Sequence, residues 1–384
     1  MDIKEQSLKL HLDHKGKMAT CLTVPLENKE DLSLAYTPGV AAVCETIAAD
    51  KTKLNDYTNR GNLVAIVTDG SAVLGLGNIG PEGAYPVMEG KAALFKKFGG
   101  VDAISICLNT QDPQEIIKIV KSLEPTFGGI NLEDISAPRC FEIEETLIKE
   151  MNIPIFHDDQ HGTAIVVLAG LINALKLTGK NKETAKVVLS GAGAAGMAIT
   201  KLLFNYGFKN IILNDSKGPI YVGREDFADN LYKQKIAEIT NLEKINNFKD
   251  SLKGADIFIG VSKANLLTAD DIKLMNEQSI IFAMANPVPE IMPEEAKKGG
   301  AFVVATGRSD FSNQINNVLA FPGLFRGVLD AKILKITDQI KIAAAEALAN
   351  LIADSEISPD YIIPNPFDER VAKAVSEAVK QTVQ

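Results

Sequence analysis

Two pairs of adjacent carboxylates, Glu133-Asp134 and Asp158-Asp159, each follow a short apolar run, Ile130-Asn131-Leu132 and Ile153-Pro154-Ile155-Phe156. Acids gathered at strand ends, with nothing basic beside either pair, repel one another if the chain brings them together. A divalent cation relieves that repulsion, and hard cations such as Mg²⁺ and Mn²⁺ favour carboxylate oxygens. The pattern points to an acid-lined metal site. His157 and His161 flank the second pair. Their i, i+4 spacing suits zinc only on one continuous helix, and His157 belongs to the strand side, so hydrogen-bonding roles are expected for both.

G-x-G-x-x-G occurs twice. Gly75-Leu-Gly77-Asn-Ile-Gly80 runs straight into Pro81 and has no acid at a strand end about 20 residues on, so it reads as a tight loop. Gly191-Ala192-Gly193-Ala194-Ala195-Gly196 follows the strand 186–189 and opens a helix of small residues. The first glycine permits the turn, the second admits a pyrophosphate, and the third lets helix and strand pack closely. The anion then sits at the helix N-terminus. Asp215 follows the next strand, 19 residues after Gly196, where a carboxylate takes the adenosine ribose of NAD. Lys217 stands nearby and keeps NADP open.

Hydride chemistry on a hydroxy acid needs a base. Lys91, within MEGKAALF, sits among small and apolar residues, where burial and a nearby cation would bring its proton off near neutral pH. A surface lysine on an ordinary helix is the competing reading. Tyr36, before the Pro38-Gly39 turn, is a rigidly placed phenol suited to a general acid, or a packing tyrosine.

These groups need a scaffold of strand ends. Residues 63–68, 102–108, 129–132 and 153–156 read as fully apolar short strands, alternating with helical patterns at 83–98, 113–123 and 139–150. That alternation means a parallel sheet covered on both faces. A helix from 163 to 177 ends at Gly179, and a second α/β unit follows, with strands at 186–189, 211–214, 257–260, 280–283 and 302–305 and closing helices at 331–352 and 368–383. The expected class is α/β with two domains: residues 1–158, carrying the substrate and metal groups, and residues 159–384, a Rossmann-type NAD(P)-binding unit with C-terminal helices.

Composition agrees. The 384 residues are 46% apolar and 23% charged, ample for two cores. A net charge of −9 argues against nucleic acid as partner. Four scattered cysteines fit reduced thiols, the N-terminus carries no signal-like apolar stretch, and the apolar run 164–175 reads as a buried helix, so a cytoplasmic protein without membrane association is expected.

Taken in order, SLAYTPGVA, VTDGSAVLGLGNIGPEGAYPVMEGKAALFK, INLEDISAP, FHDDQHGTA, SGAGAAG, ANPVPE and NQINNVLAFPG resemble the malic enzyme family in its small bacterial form, across residues 33 to 323. The resemblance implies oxidative decarboxylation of malate to pyruvate and CO₂ with reduction of NAD or NADP. It implies that Glu133, Asp134 and Asp159 hold Mn²⁺ or Mg²⁺, with Asp158 in support. Lys91 would be the general base at the C2 hydroxyl and Tyr36 the acid that protonates C3. Asn286 and Asn317 would contact substrate or the nicotinamide ribose, and Ala192 to Ala195 the pyrophosphate. A homodimer is implied too, with Tyr36 open to sharing between subunits. Ala72 stands where larger relatives carry a substrate-binding arginine. A metal-dependent oxaloacetate decarboxylase of the same family is the alternative; a non-catalytic NAD-binding module is the reading outside enzymes.

Overall fold

The computed structural model describes residues 2–73, 75–227 and 229–383. It is an α/β protein with two sheets. The first is parallel, in the order β2-β1-β3-β4, from β1 (Leu63–Thr68), β2 (Asp102–Cys107), β3 (Gly129–Leu132) and β4 (Ile155–His157). Every residue of β1 and β3 is buried, as continuous apolar strands require when both faces are covered. Register decides the chemistry here. Val67 pairs with Leu132, and Leu132 with His157, so the loops starting at Asp69, Glu133 and Asp158 leave one edge of the sheet together.

The second sheet runs β10-β9-β8-β5-β6-β7. Its strands are β5 (Lys186–Ser190), β6 (Asn210–Asp215), β7 (Gly218–Pro219), β8 (Ile257–Gly260), β9 (Ile280–Ala283) and β10 (Val303–Thr306). All are parallel except the β6–β7 hairpin. Because β5 lies between β6 and β8, the chain order reverses at its carboxyl end, the crevice where doubly wound sheets bind ligands.

Between the sheets runs the helix Asp158–Thr178, packed on helices Ala194–Tyr206 and Asp338–Ala349. It is longer than the apolar run that marks it, 21 residues with a mean hydropathy of 1.4, but two thirds of that span is buried in protein. A second apolar stretch, Lys29–Ala49, is divided into helices Lys29–Ala35 and Val40–Ala49 around the Pro38-Gly39 turn.

Three departures from the sequence reading have local causes. The closing helices are shorter than expected, Asp338–Ala349 and Arg370–Gln381; the first starts late because the Thr337 hydroxyl caps Ile340 N at 3.4 Å. The helix Phe321–Asp330, hidden in NVLAFPG, is begun by Pro322 in its first turn. The N-terminal arm also folds, as Ile3–His14, Lys29–Ala35, Val40–Ala49 and Leu54–Tyr57, yet none of these helices buries a residue.

Candidate active site

Glu133 and Asp134 turn off the end of β3, and Asp134 does so at φ 54°, a left-handed conformation that aspartate tolerates better than most residues. Asp159 lies in the first turn of its helix, where the dipole favours a carboxylate. Its Oδ2 accepts the Asp134 N–H at 2.8 Å, tying the two loops together. One carboxylate oxygen from each of Glu133, Asp134 and Asp159 lies within 4.8 Å of the others. Burial pushes Glu133 up to about 7, with Lys91 opposing and Asp159 adding to the shift. Burial likewise pushes Asp159 up to about 6, against the pull of Lys91. Three carboxylates this close, with Glu133 and Asp159 resisting ionisation, fit a divalent cation such as Mg²⁺ or Mn²⁺.

Lys91 projects from the helix Gly80–Gly99 and is buried. Its Nζ lies 2.9 Å from Glu133 Oε1, bonds Asp158 Oδ2, and sits 4.3 Å from the Phe321 ring centroid. The expectation that burial would release its proton near neutrality is not met in this arrangement. Burial does favour the neutral amine, but Asp158 and Glu133 outweigh it and hold Lys91 as the ammonium, above the ordinary lysine range. Asp158 is thus the partner of Lys91 and lies outside the three-acid cluster. Its Oδ2 also accepts from Asn317 Nδ2 at 2.5 Å, its buried Oδ1 has no hydrogen bond, and burial pushes it up to about 7.

The two histidines part company. His161 Nε2 lies 2.9 Å from Glu144 Oε1. The ring of buried His157 finds no hydrogen bond; its Nε2 is 3.6 Å from Asp159 Oδ2, and burial lowers it to about 4. Glu144, on the helix Arg139–Glu150, carries no signal in the sequence beyond a polar residue on an apolar face. It is fully enclosed, accepts from His157 N at 3.1 Å and Gln160 Nε2 at 2.9 Å, and thereby pins the turn that presents Asp158 and Asp159. Burial opposes its charge, but His161 and His157 win and hold it at about 2.

The Gly191–Gly196 loop follows β5 as expected. Gly191 has φ +113° and packs its α-carbon on Val261 O, where a Cβ would sit at 2.6 Å; a Cβ on Gly196 would lie 1.6 Å from Gly191 O. At Gly193 nothing lies within 4 Å of that position, which leaves room for a ligand. Gly193 begins the helix Ala194–Tyr206 with no side-chain cap, so its first N–H groups are available to an anion. A cleft of about 640 Å³ joins this loop to the acids, lined among others by Ala72, Asp134, Asp159, Ala194, Asn286 and Asn317. Gly75 also lines it, so the first glycine loop borders the site. No arginine or lysine lines the cleft among the described residues, and Tyr36 stands apart in the arm, 66% exposed.

Two further acids are engaged by the chain itself. Asp215, which the glycine motif expects at the adenosine ribose, also has protein partners: Arg224 and Lys233 bond its Oδ2, and its Oδ1 accepts Lys217 N at 2.9 Å. Burial opposes ionisation there, yet hydrogen bonds from Arg224 and Lys233 hold Asp215 at about 2. Glu290, of ANPVPE, is buried; it accepts Ser262 N at 2.8 Å and Ala285 N at 3.0 Å. It clasps the loops after β8 and β9, which carry Ser262 and Asn286 into the cleft.

Comparison with known proteins agrees with this geometry. Residues 15–148 match the model of the malic enzyme N-terminal domain, and residues 160–384 that of the malic enzyme NAD-binding domain. The chain is 59% identical to a bifunctional malic/malolactic enzyme of Bacillus subtilis, over 99% of this chain and 92% of that one. It is 46% identical to an NADP-dependent malic enzyme of Halomonas elongata, over 95% and 90%. The crystal structure of an NAD-dependent malic enzyme from Thermotoga maritima superposes with a TM-score of 0.94 at 53% identity, covering 97% of this chain and 98% of that one.

Proposed function

The chain belongs to the malic enzyme family, and on that premise we propose that it oxidatively decarboxylates L-malate to pyruvate and CO₂ while reducing NAD or NADP. One observation carries the reading: a single cleft brings the Glu133, Asp134 and Asp159 cluster to the mouth of the dinucleotide loop. The metal-dependent oxaloacetate decarboxylase alternative has no use for that loop and is not favoured.

When bound, the cation supplies Lewis acidity for the decarboxylation, and the nicotinamide accepts the hydride from C2. Glu133, Asp134 and Asp159 hold the cation. Lys91 takes the C2 hydroxyl proton as hydride leaves. With Glu133 engaged elsewhere, Lys91 loses one of its two counter-charges, and its proton affinity falls. Asp158 orients both Lys91 and Asn317, so base and substrate contact share one anchor. After CO₂ leaves, Tyr36 gives a proton to C3. Asn286 and Asn317 bind substrate or the nicotinamide ribose, and Gly191 to Gly196 the pyrophosphate.

Tyr36 reaches a cleft only if an arm moves or a second chain supplies it. A homodimer in which each arm covers the partner's cleft accounts for the four arm helices without buried residues and for exposed Leu32 and Leu34. Mixing Tyr36→Phe with Lys91→Ala chains restores activity in a shared site and leaves both dead in an unshared one. We place the domain boundary at 158/159, in the first turn of the helix Asp158–Thr178 that leads from β4 to the second sheet. A cytoplasmic location fits four unpaired cysteines.

The test of function is direct. Protein, malate and Mn²⁺ are mixed with NAD or NADP, and the absorbance of reduced cofactor is followed. No signal with either nucleotide, beside rapid CO₂ release from oxaloacetate, would replace this reading with the decarboxylase.

A further inference from the structure

Malate carries two carboxylates, and among the described residues the lining of the cleft meets them with Asp134 and Asp159 but with no arginine or lysine. A cation stands one side chain behind that wall. Ser136 lines the cleft, and its Oγ accepts from Arg139 Nη2 at 2.8 Å. Arg139 opens the helix Arg139–Glu150 and is largely covered.

Loops after β1, β2 and β3 fix this arginine. The first supplies the buried Asp69, whose Oδ2 lies 3.3 Å from Arg139 Nη2. The second supplies Gln111, whose O and Oε1 accept from Arg139 Nη1 at 3.0 Å and 3.3 Å. The third supplies Ser136 itself. Its N–H donates to Ser71 Oγ at 2.9 Å, and the Ser71 hydroxyl donates to Asp69 Oδ1 at 2.5 Å. The contact of Nη2 with the Ser136 hydroxyl is shorter than its contact with Asp69, so the acid does not draw the guanidinium away. A hydroxyl has one hydrogen to donate and two lone pairs. Ser136 Oγ offers a lone pair to Arg139, and its hydrogen has no acceptor among the described residues. That hydrogen turns away from the cation, toward the cleft. A hydroxyl polarised by a guanidinium is a stronger donor, above all to an anion.

We propose that the Ser136 hydroxyl binds a carboxylate of the substrate, and that Arg139 is a positioning residue that orients and polarises this hydroxyl from behind the cleft wall. The charge of Arg139 thereby reaches the substrate without a cationic side chain in the lining. The proposal rests on the reading of the chain as an enzyme that acts on malate.

Steady-state kinetics on the whole protein test it, with malate, the dinucleotide and Mn²⁺ varied in turn. Ser136→Ala should raise KM for malate by about 10- to 100-fold, with a smaller fall in kcat. Ser136→Thr keeps the hydroxyl and should stay within about threefold of wild type. Arg139→Met should raise KM for malate by about tenfold, and Arg139→Lys, which still donates to Ser136 Oγ, should recover part of that loss. KM for the dinucleotide and the calorimetric Kd of Mn²⁺ should not follow these changes, whereas a merely structural role would move all three together. Asp69 is buried, so Arg139→Met can cost the fold; Ser136→Ala leaves Arg139 bound to Asp69 and Gln111 and decides the matter. A KM for malate in Ser136→Ala within about twofold of wild type, in protein that still reduces the dinucleotide, overturns the proposal alone. Absence of malate-dependent reduction of NAD or NADP by the unaltered protein overturns the functional reading beneath it.

Discussion

Lys91 Nζ stands 2.9 Å from Glu133 Oε1, so the proposed base and a proposed metal ligand form one buried ion pair. Each therefore controls the other's protonation, and filling the acid cluster changes the base. Lys91→Met should cut kcat by about 10²- to 10⁴-fold. It should also leave Glu133 and Asp158 buried without their cation, costing about 3 kcal/mol at pH 8 in metal-free protein. Steady-state kinetics and melting curves with and without EDTA check both. Undiminished malate turnover would remove Lys91 from the mechanism.

The acid cluster predicts a direction for pH. Glu133 and Asp159 titrate in the folded protein near 7 and 6, above the 4.5 and 3.8 of free side chains, so the folded state holds more protons than the unfolded one between these limits. Stability of the metal-free protein should therefore fall as pH rises from about 4 to 7 through these two groups. Metal must displace the same protons, so Mn²⁺ affinity should climb over pH 5.5 to 7 and level off above. Calorimetry at several pH values, in buffers of different ionisation heat, reads both the affinity and the protons released. A flat affinity would separate metal binding from these acids.

Glu144 should behave in the opposite sense. Its folded value of about 2 lies below 4.5, so its contribution to stability is present above pH 4.5 and lost as pH falls toward 2. Glu144→Gln keeps the shape but turns an amide toward the donors of His157, Gln160 or His161. It should weaken Mn²⁺ binding by about 10- to 100-fold through a displaced Asp159. Metal affinity equal to wild type would confine Glu144 to a structural role.

Gly196→Ala places a Cβ where Gly191 O already lies. The loop must open, so NAD binding should weaken by well over tenfold, about 1.4 kcal/mol or more, while Mn²⁺ binding at the separate acid cluster persists. Fluorescence titration with NADH and calorimetry with Mn²⁺ distinguish these outcomes. Loss of both would mean the domain had unfolded.

Much of the site is local in sequence and was legible there. Apolar runs of four to six residues bounded by turn residues read as strands, and an acid pair at the end of such a run sits at a strand end. The Gly191–Gly196 loop is readable for the same reason, since strand, turn and helix lie within about 20 residues. The two acid pairs converge in part: Glu133, Asp134 and Asp159, the set that the family resemblance implied, bring one oxygen each within 4.8 Å of the others. The N-terminal helices left little signal, because none of their residues is buried within the chain.

The partners of these groups were not legible. Lys91 meets Asp158 across 67 residues, and Asn317 meets it across 159. Arg224 reaches Asp215 because the β6–β7 hairpin folds it back, and Glu290 reaches Ser262 because β8 and β9 are neighbours. Which residue types stand at which strand ends follows from the order of amino acids, since period and length are properties of short segments. Which charges face one another follows from the folding of remote segments together. Protonation depends on distances of a few ångströms between remote segments, and those are set by strand order and register.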